Sequence, residues 1–347
     1  MIPSLDIAGR VVSSRDPVFV IAEACDNHLG DMGAAREMVR RAKLAGADAI
    51  KFQHHLPDEE MLPDAPMSSN FQEPLYEFLK KHALSLQQHR ELKAYCEEVG
   101  ILYLCTPFSW RAAEELHTIG VSAYKIGSGE MTDIPTLLRI ASLGRPMIVS
   151  TGMSSWEEID RTYEALVAKK VPLALLNCVS EYPPVYEDVN LGVIGRMIDR
   201  YRGAVIGHSD HTPDLYTSFA AVALGARIIE KHVILDKRQP GPDQSVSIDF
   251  AELGQLVEGI RKVEAALGAE KKVHQREDEI RRWAFRSLVT TRPVAAGEVL
   301  GEDAVWSKRP GTGIPSHRML EVIGRRARRD LPANVLLSWD DLEPPSQ

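Results

Sequence analysis

Eight short apolar runs along the 347-residue chain end, almost without exception, in groups able to do chemistry. At those ends stand Glu23, Lys51 and Gln53, Thr106, Lys125, Ser128 and Glu130, Ser150, Ser180, Ser209 and His211, then Glu230 and His232. Two cations, Lys51 and Lys125, accompany the hydroxyls of Thr106, Ser128 and Ser150, which is the make-up of a phosphate or carboxylate pocket. Structural salt bridges to Glu23 and Glu130 would employ the same lysines differently. His211 and His232, on the seventh and eighth runs, would hold one divalent metal with open positions once a carboxylate or water joined them. Glu23 faces this centre and suits a general acid/base or a group that stabilises a developing cation. His28 would contact substrate or fix its loop, and Asp243, within QPGPD, would bind a sugar hydroxyl or shape a turn. Strand alternation puts Asp210 on the opposite face from Ser209 and His211, so Ser209-Asp210-His211 is not a hydrolase triad.

The elements that must position these groups follow from periodicity. The runs are Val18–Ala24, Ala49–His55, Leu102–Phe108, Ala123–Gly129, Pro146–Gly152, Leu173–Ser180, Ala204–Asp210 and Arg227–Ile234. They are nearly continuous apolar stretches, as expected of strands buried on both faces. Between most of them lie amphipathic segments, such as the stripe Ala35, Met38, Val39, Ala42, Ala45. Ser85 with Gln88, and Ser155 with Glu158, fit capping boxes that start helices. Glycines at 46, 100, 120, 144 and 225 fall where helices should stop. Eight β-then-α units predict a closed (β/α)8 TIM barrel, α/β in class, with its active site at the C-terminal strand ends. An open doubly wound sheet would show a Gly-rich first turn, and Glu23–Gly30 has none. The interval Leu56–Ala83 is too long for a simple connection, and its LPDEEMLPDAP reads as a loop or lid over the site.

The barrel is predicted to span residues 1–268. Residues 269–284, charged and poor in apolar groups, read as a linker. Residues 285–347, with the β-like runs SLVTTRPV, VWSKRP and RRDLPANVLLS, read as a small second domain. That size supports only a marginal core.

A 44% apolar and 26% charged composition excludes disordered or fibrous classes. The net charge of −8 provides no general attraction to nucleic acid or anionic lipid. No apolar run is long enough to span a bilayer, and the first residues lack the pattern of a secretory signal. Cys25, Cys96, Cys105 and Cys178 form no CxxC pair, so they read as reduced, buried small residues in a cytoplasmic protein.

The runs IAEACDNHLGD, KFQHH, CTPF, YKIGSGE, STGM, EYPP, IGHSDHT, ALGARIIEKHVILD and PGPD, then KRPGTG, resemble the sialic acid synthase family in its own order, from about Val18 to the C-terminus. The resemblance implies a TIM barrel followed by an antifreeze-like SAF domain, in a homodimer whose SAF domains are swapped onto the partner's barrel. It implies a transferase that condenses phosphoenolpyruvate with an N-acylated hexosamine to give a nonulosonic acid and phosphate. By that resemblance Glu23 is catalytic, and Lys51, Thr106, Lys125, Ser128, Ser150, Ser180 and Ser209 hold phosphoenolpyruvate. His211 and His232 hold the metal, Mn²⁺ first, with Mg²⁺ or Co²⁺ as alternatives. Gln53, Glu130, Tyr182, Asp243, Phe285 and Arg309 face the sugar. Four positions depart from the family pattern: Ser180 replaces a common asparagine, Cys25-Asp26 replaces Gly-Ile, and Gln239 replaces an arginine. The insertion containing DEEM most resembles that of synthases using N-acetylmannosamine to give N-acetylneuraminate, while legionaminic and pseudaminic acid synthases share the catalytic motifs. Other classes considered are a non-catalytic sugar-binding scaffold and a metal-dependent aldolase or hydrolase.

Overall fold

A computed structural model describes residues 3–66 and 73–344 of the chain. It divides into two compact units, Met1–Gly268 and Ala269–Gln347.

In the first unit eight parallel strands close on themselves, the last hydrogen-bonded both to the strand before it and to the first. They are β3 (Phe19–Glu23), β4 (Ala49–His54), β5 (Leu102–Pro107), β6 (Tyr124–Ile126), β7 (Met147–Ser150), β8 (Leu173–Cys178), β9 (Ala204–Asp210) and β10 (Ile228–His232). Each lies within an expected run, and closure excludes the open sheet. Alternation separates the two faces of every strand. Val20, Ala22, Ile50, Phe52, Val149 and Ile206 point outward into the core beneath the helices. Phe19, Ile21, Ala49, Leu104, Ile148, Leu176 and Val205 fill the barrel interior. The next inward positions toward the strand C-termini are the polar ones. The helix signals hold as well: the Ser85 and Ser155 capping boxes form, and the five stop glycines adopt positive φ.

A hairpin absent from the sequence reading precedes the barrel. β1 (Ser4–Ile7) pairs antiparallel with β2 (Arg10–Ser13). Their Leu5, Ile7 and Val12 pack on the interior residues Phe19, Ile21, Ala174 and Val205, closing the N-terminal end like a plug. The two short strands alternate too briefly to signal themselves before a barrel exists to receive them. Ile7 is fully buried, so Ile7→Ala is expected to cost about 2–5 kcal/mol by emptying this seat. Denaturant unfolding would measure it.

The insertion Leu56–Ala83 carries helices Pro57–Glu60 and Leu75–His82, while residues 67–72 of it lie outside the described residues. Among the described residues no helix is long and apolar enough to cross a membrane.

In the second unit β11 (Ser287–Thr290) pairs antiparallel with β12 (Val305–Lys308), over a core that includes Leu288, Leu300, Val305, Ile314 and Leu337. The third expected run contributes isolated bridges only, such as Val294 with Leu331 and Val289 with Leu336. The stretch read as linker is helical over Gln275–Ala284 and groups with this unit. Glu277 accepts from the His274 backbone N–H at 2.8 Å, and Arg281 and Arg282 complement the last turn. Residues 345–347 of the expected small domain lie outside the described residues.

Candidate functional site

At the C-terminal ends of the barrel strands lies a cavity of about 380 Å³. Strand register brings its chemistry together. Glu23 stands level with Lys51 on one neighbour and with His232 on the other. Gln53 is level with Thr106, and Ser209 is level with both Glu230 and Cys178. The β9 interior is tight: a Cβ on Gly207 would lie 2.5 Å from Leu176 Cδ2 and 2.6 Å from the Ile228 carbonyl oxygen. Ser209 is thus held against its neighbours.

Two lysines and two glutamates form one buried network. Lys51 Nζ lies 2.7 Å from Glu23 Oε2 and donates to Thr106 Oγ1 at 2.9 Å. Lys125 Nζ donates to Ser150 Oγ at 2.8 Å and lies 3.3 Å from Glu230 Oε1. Glu230 Oε2 is 3.8 Å from Lys51, and Ser209 Oγ donates to Glu230 at 2.9 Å. Gln53 Nε2 donates to Glu23 Oε1 at 2.9 Å. The lysines therefore pair with Glu23 and Glu230, not with Glu130.

Burial affects the two carboxylates unequally. Desolvation, aided by the nearby Glu230 charge, raises Glu23 to about 7. Glu230 is equally buried, yet Lys125 and Lys51 hold it below the ordinary glutamate value. Burial lowers Lys125, whereas the charges of Glu23 and Glu230 outweigh burial at Lys51 and raise it. Two buried carboxyls pushed in opposite directions separate the roles: Glu230 stays ionised as counter-charge, and Glu23 can exchange a proton near neutrality. When Glu23 holds its proton, the lysines outnumber the anionic groups facing them, which favours an anionic guest.

The hydroxyls converge on a glycine. Ser128 Oγ accepts from the Gly152 N–H at 3.0 Å. A Cβ at Gly152 would sit 2.3 Å from Ser180 Oγ and 2.8 Å from Ser128 Oγ, so both hydroxyls reach this backbone only because the residue is glycine. Glu130 crowds Gly127 in the same way, with its Oε2 2.5 Å from where a Cβ would be.

The histidine pair tests well as a metal site in one half and less simply in the other. The rings lie 5.1 Å apart between centroids. His232 is buried, its Nδ1 has no hydrogen-bond partner among the described residues, and desolvation with the nearby cationic groups keeps it neutral, the form that ligates. His211 Nδ1 lies 2.8 Å from the Val179 carbonyl, which fixes the ring and leaves Nε2 for a ligand. Burial opposes its proton, but the charge of an ionised Cys178 sulfur and that carbonyl hold His211 at about 9, so an ion there displaces a proton. Tyr182 stacks on His211 at 4.4 Å.

Of the expected site residues, Glu23, Lys51, Gln53, Thr106, Lys125, Ser128, Glu130, Ser150, Ser180, Tyr182, Ser209, His211, His232 and Asp243 all line this cavity. Phe285 and Arg309 belong to the second unit, where Arg309 Nε donates to the Ala284 carbonyl at 3.1 Å and its guanidinium lies 5.5 Å from the Trp283 ring centre. His28 fixes its loop: its Nδ1 accepts from the Gly30 N–H at 3.0 Å, and burial lowers it to about 4. Asp210 points out of the barrel to Lys231, 3.3 Å away, and no triad forms. Glu230, a strand-end group that shares a strand face with His232 by its two-residue spacing, gains from the fold a role the sequence does not show, as the partner of both lysines. Cys25 and Cys178 are buried as expected, but both border polar groups of the site. Leu75 and Leu79 of the insertion form an apolar wall that no motif announced.

Comparison with known proteins places this geometry in a family. Residues 38–272 match the NeuB family, and residues 285–343 match the SAF domain. The N,N'-diacetyllegionaminic acid synthase of Legionella pneumophila is 36% identical, covering 94% of each chain. The human N-acetylneuraminate-9-phosphate synthase is 35% identical, over 92% of this chain and 90% of its own. The crystal structure of an N-acetylneuraminic acid synthetase from Leptospira borgpetersenii superposes with a TM-score of 0.72 at 33% identity, over 81% of this chain and 95% of the other.

Proposed function

Because the chain belongs to the NeuB family, whose synthases make sialic, legionaminic and pseudaminic acids, we propose that it condenses phosphoenolpyruvate with N-acetylmannosamine to give N-acetylneuraminate and phosphate. One observation carries the reading: two buried lysines, a ring of hydroxyls, a glutamate near neutral pKa and two histidines share one cavity.

Lys51, Lys125 and the hydroxyls of Thr106, Ser128, Ser150, Ser180 and Ser209 bind the phosphate and carboxylate of phosphoenolpyruvate. That anchoring holds its C3 at attack distance from the sugar aldehyde. A divalent cation held by His211 and His232, Mn²⁺ first, supplies Lewis-acid polarisation of that aldehyde when bound. As the C2–C3 π pair bonds C3 to the aldehyde carbon, the aldehyde oxygen takes the carbonyl pair and then a proton from solvent, and positive charge develops at C2. The Glu23 carboxylate lies where it can balance that charge and then take a proton from the water that adds at C2. The resulting tetrahedral carbon expels phosphate by C–O cleavage. Gln53, Glu130, Tyr182 and Asp243 line the rest of the cavity and bind the sugar.

The 36% identity to a diacetyllegionaminic acid synthase favours a second reading with the same chemistry on a diacetamido hexose. Phosphate release from phosphoenolpyruvate decides between them when N-acetylmannosamine and a 2,4-diacetamido hexose are offered separately with Mn²⁺. Release with the first alone is expected. Release with the second alone moves the chain to the other sugar, and release with neither overturns the synthase reading. The resemblance also brings Phe285, Arg309 and a homodimer into the proposal. A raised sugar KM in Arg309→Ala and a dimeric mass in solution are the expected readings, and an unchanged KM or a monomeric mass removes those parts.

A further inference from the structure

Cys25, His232 and Asp243 each place a ligand-type atom within 4.8 Å of the other two: a thiol sulfur, a ring nitrogen and a carboxylate oxygen. His232 is only 5% exposed and its Nδ1 lacks a hydrogen-bond partner among the described residues. Cys25 is fully buried, and its thiol hydrogen-bonds the Asp243 carboxylate. The cluster joins the loop after β3, the end of β10 and the loop beyond it.

A hydrogen-bonded frame holds those segments in place. Asn27 Nδ2 donates to the Val233 carbonyl at 2.9 Å and to Ser247 Oγ at 3.0 Å. Ser247 Oγ donates in turn to the Asp243 carbonyl at 2.6 Å. These bonds tie together the backbone segments that carry the three donor groups. Cys25 adopts φ of +39°, the left-handed region in which glycine alone is at ease. The chain keeps a buried thiol there despite the conformational cost, beside two further ligand types.

We propose that Cys25, His232 and Asp243 form a thiolate–imidazole–carboxylate site for a borderline-soft divalent cation. The assignment deepens the reading above and rests on it for the ion's use in catalysis. Three protein ligands leave a position open for a small molecule. Sulfur in the set favours Zn²⁺ and Co²⁺ over Mg²⁺ and over the Mn²⁺ of the reading above, so in this assignment His232 and Asp243 ligate this ion instead of serving the His211 pair and the sugar. On binding, a metal–sulfur bond forms and the thiol proton leaves to solvent.

The test is Co²⁺ titration of the intact, chelator-treated protein, followed by absorption spectroscopy. A saturable thiolate-to-cobalt charge-transfer band in the near ultraviolet is expected. Cys25→Ser is expected to lose the band and weaken Co²⁺ binding by about tenfold or more, and Cys178→Ser is expected to keep it. Cys25→Gly, suited to the left-handed backbone, replaces the serine variant if that one fails to fold. Co²⁺ binding without the band overturns this site and leaves the metal-assisted synthase reading standing. A band lost in Cys178→Ser but kept in the Cys25 variants also overturns it. No Co²⁺ binding at all overturns both.

Discussion

Glu23→Gln should lower turnover by roughly 10²–10⁴-fold, the usual worth of a positioned acid/base, while the barrel stays folded. Glutamine keeps the size and the Gln53 contact but carries no charge and takes no proton at neutral pH. The pH dependence separates this role from a structural one. Burial raises Glu23 to about 7, so kcat/KM of the wild type should rise with pH through about 7 as the carboxylate ionises, and the variant's residual activity should lose that step. Stability runs the other way. Between the ordinary carboxylate value and about 7, the folded state holds the proton that the unfolded chain releases, so Glu23 makes the wild type less stable as pH rises through that window. Glu23→Gln removes that dependence, but it also takes the charge partner from Lys51, 2.7 Å away. Near-normal turnover, or a residual activity that keeps the step near pH 7, would count against Glu23 as the reacting carboxylate.

Lys125→Met is the second large effect, and it combines binding with folding. Methionine keeps most of the length of the side chain and removes the cation 3.3 Å from Glu230. Breaking a buried pair from one side costs about 3–5 kcal/mol, because the remaining charge has lost its partner. Glu230 is held below the ordinary glutamate value by Lys125 first and Lys51 second, against burial. Its pairing therefore stabilises the protein above the unfolded carboxylate value and stops doing so as pH falls through the depressed one. The deficit of Lys125→Met should accordingly be largest at neutral pH and shrink on acidification, as read by urea unfolding across pH. The double variant Lys125→Met with Glu230→Gln should recover most of the stability but none of the saturation by phosphoenolpyruvate. A single variant as stable as wild type would remove the network from the account.

Much of this arrangement was legible because the barrel imposes two simple periods. The eight apolar runs end where polar residues begin, and alternation assigns Lys51 with Gln53, and Ser209 with His211, to the interior. What stayed hidden depends on partners far away in sequence. The salt-bridge partners of Lys51 and Lys125 are a case in point. Glu130, five residues from Lys125, looked suitable, but the partner is Glu230, brought in by β10 closing next to β9. Leu5, Ile7 and Val12 had no visible purpose, since their seat forms only when strands distant in the chain surround it. Cys25 read as a small buried residue because nothing local to it shows that Asp243 lies beside it.

The hairpin plug also bears on how the protein is made. β1 contacts β8 and β9, segments that leave the ribosome long after it does. At typical synthesis rates the delay is on the order of 10–30 s. Throughout that interval Leu5, Ile7 and Val12 have no finished seat, and the half-built sheet exposes an unpaired edge on each side. The barrel thus closes late, when its last strands arrive, and until then its apolar interior and open sheet edges stand exposed to wrong pairing.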